Sequence, residues 1–335
     1  MSHETDAVLS HEFLYDDADF PSCHAATVAE TDDGLLVAFF GGTHERHPDV
    51  CIYTSRRTGD GWTRPRLVAD GVQPDGSRQP TWNPVLFRRN DGVLLLFYKV
   101  GPNPRQWWGM MKTSSDAGHS WSEPRRLPDG ILGPIKNKPV QLFDGDILSP
   151  TSIESEQLGW RVYFERSSDG GHSWRKTDLV EQEPAIKAIQ PSLLVHSPAE
   201  LQAIGRTRNA RLFSTRSCDA GRTWDKLRLL ELPNCNSGTD AVTLSDGRHL
   251  LVYNHSATEK VRYPLNVALS SDGETWQAAL VLEDEPPGQY SYPSVIQSRD
   301  GLVHMVYTWK RLRIRYARID PTRLRPRPMP GGRWP

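Results

Sequence analysis

Ser115-Asp116-Ala117-Gly118-His119-Ser120-Trp121 is the stretch that decides the fold, because close copies of it recur along the chain. Further copies begin at Ser168 and Cys218, a copy one residue shorter begins at Ser271, and residues 58–62 form a degenerate one. An Asp that bonds nearby backbone N–H groups and a Gly that tolerates positive φ make the motif a turn, and its Trp offers a large apolar face. The motif therefore predicts a hairpin that recurs about every 50 residues.

A second repeat lies between the copies of the first. Six segments each consist of an apolar strand, a turn and another apolar strand, and several of the turns are Asp-Gly, as at Asp33-Gly34 and Asp300-Gly301. Asp-Gly between apolar runs is a strong hairpin signal. The segments begin near His24, Gln79, Lys138, Gln190, Gly238 and Tyr292. Together the two repeats predict an all-β chain of six four-stranded units, which is the blade size of a six-bladed β-propeller.

The two ends of the chain indicate how the propeller closes. The last unit runs out of chain after its third strand, residues 313–317, whereas residues 12–15 form a spare strand. We predict that this N-terminal strand completes the final blade, because an incomplete blade would expose an open edge. Residues 1–320 are predicted to form one propeller domain, and residues 321–335, rich in Pro and Arg, a loose C-terminal tail.

Composition narrows the classes of function. The 335 residues carry a net charge of -1, so bulk electrostatics favours neither a nucleic acid nor a membrane surface as partner. No apolar run is long enough to span a bilayer, and the N-terminus lacks the basic and apolar regions of a secretory signal, so we expect a cytoplasmic protein. The four cysteines form no Cys-x-x-Cys pair, and no cofactor is predicted.

The recurring motif is the Asp box, and with six blades of this size nearly the whole chain resembles the sialidase (neuraminidase) superfamily. The boxes are specific for the fold, whereas function depends on residues of the central channel. The family opens blade one with Phe-Arg-Ile-Pro, whose Arg clasps the substrate carboxylate, and here His24 stands at that position. The loop that carries the family's catalytic Asp offers Glu45 or Asp49, and Gln190 replaces the Glu that assists the tyrosine nucleophile.

The resemblance also supplies matching residues. Arg206, with Arg208 close by, corresponds to the family's arginine of blade four, and Arg262 to its arginine of blade five. Tyr292 corresponds to the nucleophile, with Tyr290 as a rival. The resemblance therefore implies an exo-acting glycoside hydrolase that binds the carboxylate of a terminal acidic sugar, sialic acid or a relative, through arginines.

Other side chains are expected to line the same face of the propeller. Lys138 adds positive charge, Trp82 would stack on a sugar ring, and Asn83 would donate to sugar hydroxyl groups. Histidine is a ready acid or base near neutral pH, and three histidines could ligate zinc, although no metal is assigned. The histidines considered are His24, His44, His47 and His255, of which His24 is assigned to catalysis and His255 to substrate binding.

Two other functions fit the same residues. A polysaccharide lyase that acts on uronate glycans needs a neutralised carboxylate, a base and an acid, which the two arginines, His24 and Tyr292 could supply. A propeller of this kind could also bind acidic carbohydrate without catalysis. In each case the expected partner is an acidic oligosaccharide or glycoconjugate.

Overall fold

The computed structural model describes residues 5–59 and 61–335. A short 3-10 helix (Thr5–Ala7) leads into β1 (Val8–Phe13). Blade one contains β2 (Ser22–Thr31), β3 (Gly34–Gly42), β4 (Cys51–Thr58), β5 (Gly61–Trp62) and β6 (Arg66–Ala69). Blade two contains β7 (Thr81–Arg88), β8 (Leu94–Val100), β9 (Trp108–Ser114) and β10 (Arg125–Arg126). Blade three contains β11 (Val140–Gln141), β12 (Ile147–Ser155), β13 (Gly159–Ser167) and β14 (Arg175–Lys176).

The second half of the chain continues the same pattern. Blade four contains β15 (Ala188–Val195), β16 (Leu201–Thr207), β17 (Arg211–Ser217) and β18 (Arg228–Pro233). Blade five contains β19 (Asp240–Thr243), β20 (His249–Asn254), β21 (Leu265–Ser270) and β22 (Trp276–Glu283). Blade six contains β23 (Tyr290–Gln297), β24 (Val303–Trp309) and β25 (Arg313–Ile319), followed by β26 (Arg327–Pro328) and a 3-10 helix (Pro330–Gly332). The all-β, six-bladed propeller predicted from the repeats is confirmed.

The propeller is closed by its N-terminal strand, as predicted. β1 pairs antiparallel with β25, so that the order across blade six is β1-β25-β24-β23. The closing strand begins earlier than the sequence suggested, since Val8 already pairs with Ile319. A buried cluster fixes this closure, because the Tyr307 hydroxyl donates to Glu283 at 2.7 Å and lies 2.5 Å from His11 on β1.

Apolar packing lies between the blades. Six buried clusters of described residues combine side chains from neighbouring blades, as in the cluster that joins Val252 of blade five to Val295 of blade six, and the cluster of blades one and two also contains Tyr292 of blade six. Burial of such side chains is the main stabilising contribution to the fold. Because every blade is packed on both sides, the inner strands are held in fixed positions around the channel.

The Asp boxes form the turns between third and fourth strands. In the box of blade four, Asp219 accepts hydrogen bonds from the backbone of Arg222 and Thr223, both at 2.9 Å, and from the hydroxyl of Ser217 at 2.8 Å. The indole of Trp224 donates to the carbonyl of Gly221 at 3.2 Å. These bonds are local, so the motif fixes the turn without contributing to the opposite face.

The C-terminal residues are not a loose extension, and that expectation is wrong. β26 pairs with the outer strand β22, with Arg327 opposite Ala278. Met329 is buried in the core between blades four and five, and Trp334 packs against the same cluster. The prolines that suggested a loose tail are compatible with an edge strand, because an edge strand needs only half of its N–H groups. Among the described residues, no helix is long and apolar enough to cross a membrane.

Candidate functional site

The site lies at one end of the channel, called here the channel mouth, where the inner strands begin and the second strands turn into the third. Four inner strands, β2, β7, β15 and β23, share a break in their pairing just after they begin. One residue in each break has positive φ: Ala25 (55°), Asn83 (40°), Gln190 (57°) and Tyr292 (55°).

Three of these four bulges coincide with a proline in the sequence. Asn83, Gln190 and Tyr292 each precede a proline, which has no N–H to lose from the strand ladder. Bulges redirect side chains and are frequent beside active sites. A positive φ is uncommon for a non-glycine residue, and strained backbone conformations cluster at functional sites. The four positive φ values at one end of the propeller therefore indicate that the functional site lies there.

Tyr292 lies at the centre of a cluster of cations. The guanidinium carbons of Arg206 and Arg262 lie 5.5 and 5.7 Å from the centre of its ring, and the Nζ of Lys136 lies at 5.7 Å. The imidazole of His24 lies 4.2 Å from Tyr292, ring centre to ring centre. Residues far apart in the chain, from five different parts of the propeller, therefore meet around one phenol.

His24 is a neutral imidazole in this setting. The residue is buried, and its Nδ1 lies 2.9 Å from the hydroxyl of Thr308, which fixes the plane of the ring. Burial, followed by the charges of Arg311, Arg262, Lys136 and Arg206, lowers the pKa of His24 well below its ordinary value of 6.5. A neutral imidazole keeps one nitrogen that can accept a proton.

Polar atoms of three side chains in this cluster are buried without partners. In the described part of the chain, Nε of Arg206, Nη1 of Arg262 and Oε1 of Gln190 make no hydrogen bond. Arg206 retains one bond, from Nη1 to the carbonyl of Asn236 at 3.1 Å. Since buried polar atoms are nearly always paired in proteins, unpaired guanidinium donors at a channel mouth indicate a binding site for an anion.

Lys136 is buried, and its ammonium group lies beside the ring of Tyr292. Its Nζ donates to Oδ1 of Asn137 at 2.8 Å and to the carbonyls of Thr239 (3.0 Å) and Pro293 (2.5 Å). Burial lowers the pKa of Lys136 to about 7, against the attraction of Asp240. All three N–H donors of the ammonium form are used by these acceptors, so Lys136 contributes charge to the site but no free donor.

Lys138 also differs in its surroundings from the sequence-based expectation. Its Nζ is bound to Oδ2 of Asp240 at 2.9 Å and to the carbonyl of Ala241 at 3.0 Å. Asp240 in turn accepts from the hydroxyl of Ser192 at 3.0 Å and the N–H of Val295 at 2.8 Å. This ion pair links blades three to six within the channel, so Lys138 has a structural partner where a substrate contact was predicted.

The two carboxylates proposed for the blade-one loop have different partners. Oε2 of Glu45 accepts a hydrogen bond from Nη1 of Arg311 at 2.8 Å. Because the charge of Arg311 acts on His24, this bond connects Glu45 to the cluster around His24. Asp49 accepts from the N–H and hydroxyl of Thr43 and pairs with His47 at 2.7 Å. These bonds hold the loop in shape, and the hydrogen bonds from Thr43 outweigh burial to lower the pKa of Asp49. Of the two carboxylates, Glu45 is therefore the one connected to the Tyr292 cluster.

The remaining predicted contacts divide into packing and surface residues. Trp82 is buried, donates from its indole to the carbonyl of Gly101 at 2.7 Å and packs edge-on against Trp107. It is therefore not free to stack on a sugar, whereas Trp107 is half-buried. Asn83 is buried at its bulge, and the guanidinium of Arg208 lies 4.2 Å above the ring of Trp160.

The histidines do not form one group. His255 lies 2.5 Å from the Tyr253 hydroxyl and packs on Trp334 of the C-terminal segment, and burial lowers its pKa to about 4. His44 and His47 are neighbours on their own loop, with ring centres 5.3 Å apart. Within residues 5–59 and 61–335, no three His, Cys, Asp or Glu side chains are grouped closely enough to hold a metal ion. The zinc alternative therefore has no support from the geometry.

Sequence reasoning missed two charged residues near the site. Arg311 lies on the β24–β25 hairpin, and its charge acts on both His24 and Arg262. Glu154 lies at the end of β12, where burial raises the pKa of its carboxyl despite the charges of Arg206, Arg208 and Arg105. Both residues lie on or beside the turn from the second to the third strand of a blade, as Glu45 and Arg208 do. That position in the repeat could have identified them from the sequence.

Glu154 and Arg208 line a wide cavity of about 1200 Å³ between the hairpins of blades two and three. Arg46, Arg105 and Trp107 line the same cavity. The walls of this cavity are charged and aromatic, a form suited to a polar ligand.

Comparison with known proteins agrees with this architecture. A family described as a BNR repeat-like domain matches residues 33–305, which is most of the chain. The chain belongs to this family. This match and the six-bladed fold support the resemblance to the sialidase superfamily, and a sialidase of Bacteroides fragilis is 22% identical over 292 residues, covering 75% of this chain. The chain matches only 53% of the length of that relative.

Solved structures share the fold of this BNR propeller at low sequence identity. A protein of unknown function from Dyadobacter fermentans has a TM-score of 0.76 at 19% identity, with 93% of this chain and 98% of the other covered. The intramolecular trans-sialidase from Ruminococcus gnavus, in complex with oseltamivir carboxylate, has a TM-score of 0.73 at 14% identity, with 97% and 99% covered. Likeness at this level concerns the fold, and the activity has to be argued from the site.

Proposed function

We propose that this BNR propeller is an exo-acting glycoside hydrolase for a terminal acidic sugar, sialic acid or a relative. One observation carries the proposal: Arg206 and Arg262, from adjacent blades, lie 5.5 and 5.7 Å from the ring of the same tyrosine and keep buried donors unpaired. Paired guanidinium groups bind a carboxylate with a geometry that lysine cannot reproduce. The relatives named sialidase and trans-sialidase are consistent with such a ligand.

Tyr292 is the proposed nucleophile and His24 its proton acceptor. The phenol must lose a proton as its oxygen bonds to the anomeric carbon, and Gln190 cannot take that proton as a glutamate would. His24 lies 4.2 Å away between ring centres and remains neutral, so it can accept the proton. The cations of Arg206, Arg262 and Lys136 favour negative charge on an oxygen held among them. The glycosidic bond between the anomeric carbon and the leaving oxygen breaks in the same step, that oxygen takes up a proton from the carboxyl group of Glu45, and water then cleaves the bond between Tyr292 and the sugar.

The test is product analysis with wild-type protein and Tyr292→Phe. On sialyl and uronyl glycosides, the wild-type protein should release the terminal acidic sugar, and the loss of the phenol oxygen should lower kcat by on the order of 1000-fold or more. The melting temperature should change little, since the aromatic ring is retained. Near-normal turnover by Tyr292→Phe would remove this residue from the mechanism.

A matched comparison tests the arginines. Arg262→Ala should weaken binding of an acidic sugar by about 10-fold or more, because a charged hydrogen bond is lost, and should leave a neutral sugar of the same size nearly unaffected. Arg248→Ala is the control, since Arg248 is paired with Asp246 on the β19–β20 hairpin of the same blade, at the end opposite the mouth. Equal losses for acidic and neutral sugars would contradict a carboxylate site.

A lyase acting on uronate glycans is the second candidate. It is favoured by one specific observation, that the site combines the neutral base His24 with Gln190 where a hydrolase of this superfamily would have glutamate. A lyase makes an unsaturated uronate, which absorbs in the ultraviolet, whereas a hydrolase makes a reducing sugar without that absorbance. The same product analysis therefore separates the two reactions.

A further inference from the structure

Blade one lacks an arginine at the position of His24, yet a third guanidinium reaches the same part of the channel mouth from another blade. Arg311 lies at the tip of the hairpin between β24 and β25 in blade six. Its carbonyl accepts the N–H of Cys23, the residue before His24, at 2.9 Å. The hairpin is therefore attached directly to the start of the inner strand of blade one.

The backbone of this hairpin is strained in a way that its sequence does not favour. Lys310 and Arg311 have φ values of 52° and 62°, and the N–H of Leu312 donates to the carbonyl of Trp309 at 3.0 Å. Two consecutive positive φ values at the central positions of a turn are typical of type I′, which prefers Asn and Gly. Lys310 and Arg311 therefore make this turn less stable than Asn and Gly would, and strained backbone of this kind clusters at functional sites.

The two side chains of the turn point to different places. Nζ of Lys310 lies 4.8 Å above the ring of its neighbour Trp309. Nη1 of Arg311 instead binds Oε2 of Glu45 across the blade boundary at 2.8 Å, with about a quarter of the Arg311 side chain exposed. Among the neighbouring cations, Arg311 has the strongest effect on the pKa of His24, and its charge also acts on the pKa of Arg262. Only Arg311 of the pair can serve the site.

We infer that Arg311 is the third guanidinium of the anion-binding site, supplied by the blade-six hairpin at the place where blade one presents His24. Glu45 holds the guanidinium in position in the free protein, and an acidic sugar shares it with Glu45 on binding. Arg311 thereby selects for a carboxylate on the terminal sugar. This inference rests on the proposed function for the choice of ligand, but not on turnover.

Calorimetric binding of defined probes tests the inference. The probes are N-acetylneuraminic acid and glucuronic acid, each compared with its methyl ester, which has the same shape without the charge. Wild-type protein should prefer an acid to its ester, and Arg311→Ala should lose about 10-fold or more of the acid affinity with little change for the ester. Lys310→Ala, which removes a charge from the same turn, should bind like the wild type.

The melting temperature supplies a second readout. If Arg311 had a purely structural role, its replacement would lower the melting temperature. Arg311→Gly should raise the melting temperature, because glycine relieves the positive φ, while it weakens acid binding as Arg311→Ala does. Arg311→Lys should restore only part of the affinity, since lysine lacks the bidentate fork. A selective loss of acid affinity in Arg311→Ala without a fall in melting temperature supports the inference.

Two outcomes would overturn it. One is a wild-type protein that fails to prefer either acid over its ester, including one that binds neither. The other is equal acid affinity for Arg311→Ala and Lys310→Ala. If acid binding depends on Arg311 but no glycoside is turned over, the hydrolase proposal fails while the role of Arg311 stands.

Discussion

The two ends of the propeller differ in whether their polar side-chain atoms have hydrogen-bond partners. At the Asp-box end, Asp219 is surrounded by donors from Ser217, Arg222 and Thr223, and these bonds outweigh desolvation and lower its pKa to about 2. At the channel mouth, Arg206 and Arg262 keep buried donors without partners among the described residues. The first end is complete without a ligand, whereas the second is arranged around one.

This difference separates stability from function. Asp boxes use local bonds within seven or eight residues, so they can be repeated without reference to the rest of the chain. The mouth uses residues from different blades, strained at bulges and turns, and its charges are mutually repulsive. Such an arrangement persists only because the surrounding blades hold it. The contrast predicts which changes alter activity and which alter only stability.

The largest expected effect at the mouth, beyond loss of the nucleophile, is that of His24→Gln. It should lower kcat by on the order of 100-fold or more, because the proton acceptor is removed. His24 stays neutral in the folded protein but takes up a proton near pH 6.5 when unfolded, so its contribution to stability is lost as the pH falls below 6.5. His24→Gln should therefore melt with less sensitivity to acid.

His11→Gln is the control for that prediction. Burial also lowers the pKa of His11, to about 4, but His11 lies at the closure of blade six. It should share the change in acid sensitivity and keep normal kcat. Equal activity of both variants would contradict a catalytic role for His24 and weaken the contrast between the ends.

A smaller effect is expected for Gly238→Ala. A Cβ there would lie 3.0 Å from Cε of Lys136 and 3.2 Å from Cδ2 of Tyr292, closer than ordinary contact. Tyr292 and Lys136 would have to shift, so kcat should fall by roughly 10-fold through misplacement of the phenol. Gly59→Ala, whose Cβ meets nothing within 4 Å, should leave kcat and melting temperature unchanged. Unaltered kcat in Gly238→Ala would show that the position of the phenol is not critical.

At the opposite end, Asp219→Asn should lower the melting temperature by roughly 2–4 °C at pH 7 without changing kcat. The pKa of Asp219 is lower in the folded protein than in the unfolded chain, so its stabilisation is present above pH 3.8 and is lost as the pH falls through about 2. Thermal melts at neutral and acidic pH measure this, and the difference between variant and wild type should shrink in acid. A large loss of kcat at unchanged melting temperature would break the comparison.

The smallest effect is expected from Trp334→Ala. Trp334 packs on His255 and on the core between blades four and five. Its loss should lower the melting temperature by about 1–3 °C and leave acidic-sugar affinity unchanged, since His255 contacts Tyr253 and Trp334 instead of the Tyr292 cluster. A changed affinity in a binding titration would return His255 to the site.

The repeats made the fold predictable, and the family resemblance placed His24, Arg206, Arg262 and Tyr292 at corresponding blade positions. Their convergence follows because each lies near the start of an inner strand or beside a hairpin at the same end. Lys138, Trp82 and His255 were predicted to contact substrate, but in the structure each contacts another side chain of the protein. Their partners Asp240, Trp107 and Trp334 cannot be identified from local spacing.

By itself, the sequence determined the number of blades, the Asp-box turns and the strand that closes the propeller, because all of these depend on short-range turn chemistry and on a period of about 50 residues. Only the tertiary structure decided that the C-terminal segment adds a strand to blade five and that Arg311 reaches across from blade six to Glu45. The physical reason is that such contacts join residues distant in the chain, 49 positions apart for Ala278 and Arg327 and 266 for Glu45 and Arg311. Their energies depend on which side chains the packed blades bring together, and no local pattern encodes that.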